Sequence, residues 1–172
     1  MTYFKFGKIV PEFVFSGSHS AYWFFDADLC SSQAAWSDLR QVHDAFNQVA
    51  PVEVLAASDG GLLGYLQAGD DWNTRLNSLA RRMNADGDYG GIALKSMDEN
   101  WSVYQSRPVD LGVFAVNEAI GAASLPPTWR DTFFDASDIG GWLEGTTERD
   151  VAIVQTYGRD YLRALLDNYP AR

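Results

Sequence analysis

Cysteine is almost absent from this 172-residue chain, with Cys30 standing alone. An internal disulfide is therefore excluded, a domain of this size needs none, and a reducing, cytoplasmic setting is the expectation. Histidine is nearly as scarce. His19 sits in a Ser/Gly turn, and His43 falls about one residue off the apolar stripe of a helix, so no paired spacing for zinc exists. Long apolar runs are also missing. Asp26, Asp28, Glu53 and Asp59 interrupt the most hydrophobic stretches well short of the about 18 residues a membrane span needs. Pro11 and Glu12 break the N-terminal segment before a signal-peptide core develops, so no secretory leader is expected. Positive charge is the last shortage: 13 Lys and Arg face 23 Asp and Glu, a formal net charge of −10. That balance works against nucleic acid or an anionic membrane as direct ligands and leaves a basic protein partner open.

Apolar residues make up 47% of the chain and aromatics 14%, enough to build a core, and the length suits a single globular domain over residues 1–172. Strands are expected first, over Tyr3–Phe6, Phe13–Phe15 and Tyr22–Phe25. Ser31 or Ser32 then caps a helix whose Trp36, Leu39, Val42, Phe46 and Val49 share one face until Pro51. Val52–Ala56 and Leu62–Leu66 flank Ser58-Asp-Gly-Gly61, the turn chemistry of a hairpin. Asp70 or Asp71 caps a second helix carrying Trp72, Leu76, Leu79 and Met83 on its apolar side.

Three further strands are expected at 92–95, 101–105 and 109–116, followed by an ordered loop with short helical turns from Asn117 to Gly141. Thr147 with Asp150 resembles a capping box, and two short helices meeting at Gly158 run on to Pro170. The expected fold is therefore α+β, a largely antiparallel sheet with about four helices, two of them C-terminal.

Chemical motifs are weak throughout. Asn84, Asp86 and Asp88 mimic the first ligands of a calcium loop, but Tyr89 replaces its glycine and Lys95 its bidentate glutamate. Ser16-Gly-Ser-His-Ser20 lacks the strand-turn-helix setting of a nucleophile elbow, and Gly60–Gly64 lacks the lysine of a phosphate loop. Cys30 reads as a small buried hydrophobe. Carboxylate pairs such as Asp26 with Asp28, or Asp98 with Glu99, are too frequent in so acidic a chain to be diagnostic. No catalytic residue, metal site or cofactor is assigned.

The charge is unevenly spread. Residues 96–150 hold ten acids against three bases, interleaved with aromatic residues. Carboxylates around aromatic anchors suit a surface that meets a basic partner. The candidate partner-binding set is Asp98, Glu99, Asp110, Trp129, Asp131, Phe133, Asp135, Asp138, Trp142, Glu144, Glu148 and Asp150. The function this suggests is a protein inhibitor, an immunity protein or antitoxin that blocks the active surface of a basic, nuclease-like toxin. Two alternatives stand beside it. One is a small enzyme or ligand-binding protein built on Tyr22, Trp23, Asp26 and Asp28. The other is a homodimer or larger assembly formed through the Tyr157, Tyr161, Leu165 and Leu166 stripe of the C-terminal helices.

Overall fold

A computed structural model of the chain describes residues 3–17, 19–46, 50–107, 111–117 and 125–170. Its architecture is α+β. Seven strands, β1 (Ala21–Asp26), β2 (Val52–Ala56), β3 (Leu62–Leu66), β4 (Gly91–Ser96), β5 (Trp101–Ser106), β6 (Leu111–Val116) and β7 (Phe133–Phe134), form one sheet in the order β3-β2-β4-β5-β6-β1-β7. Every pairing is antiparallel. The middle of the sheet is a meander. The N-terminal β1 breaks sequence order by inserting between β6 and β7, which pairs Tyr22 with Ala115 and Phe25 with both Gly112 and Phe133. Gly112 is required by this closeness, because a Cβ there would run into the Phe25 ring.

Helices α1 (Gln33–Ala45) and α2 (Trp72–Ala85) cover one face. Their Trp36, Leu39, Val42, Leu76 and Leu79 pack with Val54, Leu94, Trp101, Val103 and Phe114 of the sheet. The caps follow local chemistry: Ser32 accepts the Ala35 N–H, and Asp71 accepts that of Thr74. The opposite face carries Tyr22, Phe24, Tyr104, Leu111 and Val113. It is covered by residues 3–17 together with α4 (Ala136–Glu144), α5 (Glu148–Tyr157) and α6 (Arg159–Asn168). With both faces covered, β5 and β6 are buried at every position; β6 is accordingly a continuous apolar run, while β5 buries Ser102, Gln105 and Ser106 among its apolar residues.

Three expectations need correction. Tyr3–Phe6 and Phe13–Phe15 are not strands but meet through a single bridge, Phe4 to Phe15. The segment between them is held by side chains instead: the carbonyls of Lys8, Val10, Pro11 and Glu12 accept hydrogen bonds from Tyr104, Tyr161, Asn168 and Tyr169. Six helices are present among the described residues rather than about four, the additions being α3 (Trp129–Thr132) and α4. The loop expected from Asn117 to Gly141 therefore ends in a nine-residue helix, started by a capping box in which Asp135 and Asp138 serve each other's backbone. Val49 and residues 109–110 of the expected elements lie outside the described residues. No helix among the described residues is long and apolar enough to cross a membrane.

Candidate functional site

The acidic stretch of sequence is divided by the sheet. Asp98 and Glu99 lie in the β4–β5 turn, beside the end of the sheet where Trp101 pairs with Val116 and Val116 with Ala21. Asp131 lies at the other end of β1 with Asp26, whereas Asp135, beyond the pairing of Phe133 and Phe134 with Phe25 and Phe24, lines a recess with Ser20, Ala21, Tyr22 and Trp23 at the start of β1. Asp110 lies outside the described residues. Among the described candidates, Asp98 with Glu99, Asp135, and Asp131 with Trp142 therefore fall at separate places in the fold.

Several of these carboxylates have internal partners. Arg130 is bonded to Asp135 at 3.0 Å and to Asp138 at 2.7 Å, while its guanidinium also lies 4.6 Å above the Trp23 ring. Burial works against ionisation of Asp135. It is outweighed by the Ser137 hydroxyl, the Asp138 and Ser137 N–H groups and the Arg130 charge, which together hold the carboxyl below its usual range. Glu99 pairs with Lys95 at 3.1 Å, and Asp98 accepts from the Ser96 hydroxyl. Asp150 closes the α5 capping box on Thr147 and accepts from Thr146, bonds that lower its pKa.

Two expected anchors are core residues. Trp129 and Phe133 are each 1% exposed and stack on one another with ring centres 3.8 Å apart. Their flat faces are satisfied within the fold, since Phe114 and Trp23 close the edges of Trp129. They cannot touch a partner without unfolding α3.

Of the remaining candidates, Asp131 and Trp142 line a half-open cleft of about 360 Å³ between β1, α3, α4 and α5. Asp26 enters it from the end of β1 and Asp131 from α3, with Phe134, Trp142 and Tyr157 among the walls and Arg149 on one side. Phe134 and Trp142 support each other, ring centres 4.7 Å apart. Asp26 and Asp131 are exposed, and neither forms an ion pair with a described lysine or arginine, Arg149 included. The Asp26 charge is felt nearby: burial first, then Asp26, raises the pKa of Tyr161. Glu144 and Glu148 are exposed at the ends of α4 and α5. Aromatic walls with two carboxylates outside any ion pair can take an organic cation or a basic side chain beside Arg149. Among the described residues no three His, Cys, Asp or Glu side chains group closely enough to hold a metal ion.

The set Tyr22, Trp23, Asp26 and Asp28 does not share a cavity. Tyr22 and Trp23 face a recess beside the start of α4, Asp26 the cleft, and Asp28 a third pocket that it shares with Cys30 and Arg107. In that pocket burial, then the Asp28 charge, pushes the Cys30 thiol up to about 11, so it is protonated at neutral pH and a poor nucleophile. Of the C-terminal stripe, Leu165 is buried against the sheet, while Tyr157, Tyr161 and Leu166 are partly buried and packed on the same cluster. Sequence reasoning missed the pairing of Asp26 with Asp131, along with the part played by Arg149 and Tyr157. These residues are joined by strand register across more than a hundred positions, and no local pattern encodes that. No family model, no curated protein and no solved structure matches this chain.

Proposed function

We propose that the chain is an acidic protein-binding inhibitor of the immunity-protein or antitoxin kind, working in the cytoplasm and blocking the active surface of a basic, nuclease-like partner. One observation carries the reading: Asp26 and Asp131, neither in an ion pair with a described lysine or arginine, share a cleft with Trp142, Tyr157 and Arg149. An arginine or lysine of the partner enters this cleft, neutralises the two carboxylates and lies against the rings. Desolvated charge pairs and cation–π contact then supply affinity, while the net charge of −10 speeds encounter. Glu144 and Glu148 extend the negative rim. Asp98, Glu99, Asp135, Asp138 and Asp150 belong to the fold's own bonding and contribute only to the long-range field.

The test uses the tagged chain and a D26N/D131N variant as parallel baits in cells that carry the partner. A basic protein recovered in equal amount by the first, and bound about thirtyfold more weakly or worse by the second, is the expected result. Its association rate should also fall steeply as salt rises. Recovery unaffected by D26N/D131N, or an association rate indifferent to salt, would remove the reading.

A further inference from the structure

Arginine is scarce in this acidic chain, and the fold uses most of it internally. Arg40, Arg107, Arg130 and Arg163 pair with carboxylates. Arg75, Arg82 and Arg159 donate to the backbone carbonyls of Tyr65, Leu63 and Leu143. Arg149 forms no ion pair with a described residue, yet it lines the cleft that holds Asp26 and Asp131. Its place in α5 is not explained by the helix itself. The first turn carries Glu148 and Asp150, the charge sign that a helix N-terminus favours, and Arg149 stands between them with the opposite sign. Asp150 is turned onto Thr147 and Thr146, and Glu148 is exposed.

Helical spacing arranges the charges of the cleft. Arg149, Ile153 and Tyr157 follow one another at intervals of four, so a single face of α5 forms one wall. Arg149 and Tyr157 are about 12 Å apart along the helix axis. Asp26 lies toward the Tyr157 end. Its charge, after burial, raises the pKa of Tyr161, whose ring stacks on that of Tyr157 with centres 6.2 Å apart. The cleft therefore has a positive pole at the start of α5 and a negative pole near its end, and Asp131 of α3 adds the second negative charge. At about 360 Å³ the space is at the small end of ligand pockets and suits one long residue rather than a folded segment.

We infer that Arg149 selects what enters the cleft: a C-terminal arginine or lysine of the partner, its side-chain cation on Asp26 and Asp131 and its α-carboxylate on Arg149. This rests on the reading of the cleft as the site for a basic partner. A basic side chain from the middle of a chain brings a cation alone and meets Arg149 as a like charge. A basic chain end brings both signs on one residue. Its carboxylate matches the planar guanidinium in a two-point contact. The alkyl stem between the two charges lies along the apolar lining that Trp142 and Ile153 contribute.

The experiment titrates the full chain by calorimetry, at low salt and neutral pH, with N-acetyl-L-arginine and with its amide, which keeps the cation and lacks the carboxylate. The acid should bind about tenfold more tightly than the amide. R149Q should bind the two alike, R149K should keep part of the preference, and D26N/D131N should weaken both ligands. The inference is overturned if the native chain binds acid and amide alike or favours the amide, or if R149Q keeps the full preference. Those results leave the basic-partner reading standing when D26N/D131N still weakens binding, whereas binding of both ligands indifferent to D26N/D131N removes that reading too. No binding of the acid at millimolar concentration overturns the inference, the partner itself being tested by the bait comparison. Free L-arginine bound more tightly than its acetylated form would assign the cleft to the amino acid and overturn the chain end as its occupant.

Discussion

At the scale of single residues, His43 shows how one position of helical phase changes the chemistry. From sequence it lies beside the apolar stripe of α1. In the structure it is 1% exposed, between Trp72 at 5.2 Å and Trp101 at 5.8 Å, and its Nδ1 has no hydrogen-bond partner. Burial lowers its pKa, with Asp44 and Asp98 opposing and Arg40 assisting. An imidazole whose folded pKa is depressed binds its proton more readily once unfolded. Its contribution to stability is therefore complete above the ordinary histidine value and is lost as pH falls from there through the lowered folded pKa. Denaturant midpoints of the native chain should fall between pH 7 and pH 5 more than those of H43F, by at most about 1.4 kcal/mol per pH unit. Parallel pH profiles for the two proteins would show that His43 does not carry this effect.

Elements were legible wherever their signals were local. Ser32 and Asp71 cap α1 and α2 from the expected positions, the Thr147 and Asp150 box starts α5, and Gly158 with φ 87° separates α5 from α6. The same box chemistry at Asp135 and Asp138 passed unread, because Gly140 and Gly141 dilute the apolar period of α4. Nor does periodicity reveal how the N-terminal segment is fastened, since its ties come from the far end of the chain. The Tyr169 hydroxyl donates to the Glu12 carbonyl at 2.6 Å, a part-buried bond, and accepts the Val14 N–H at 3.2 Å, a buried one. Y169F strands these two backbone groups and should cost about 1–3 kcal/mol, read from urea unfolding. Proteolysis within residues 3–17 should quicken in parallel. An unchanged midpoint would mean that the Phe13, Phe15 and Phe24 contacts with the ring hold the segment without the hydroxyl.

At the scale of the whole molecule, the insertion of β1 between β6 and β7 ties residues 21–26 to residues 111–116 and 133–134. Both faces of the sheet depend on that closure, because Phe25 belongs to the core under α1 and α2 and Phe24 to the core under α4–α6. Unfolding should therefore be one cooperative event, with tryptophan fluorescence and far-ultraviolet circular dichroism giving the same midpoint. Separated midpoints would mean that α4–α6 leave the sheet before it opens. The sequence alone determined the α+β class, most strand and helix positions and the excess of negative charge, because periodicity, caps and turns act over a few residues and charge is a sum. Tertiary structure alone decided which carboxylates remain without a cation. Arg130 took Asp135 and Asp138 and Lys95 took Glu99, neighbours in sequence that turn and cap geometry brought into bonding distance, whereas register carried Asp26 to Asp131 across more than a hundred positions that no local pattern spans.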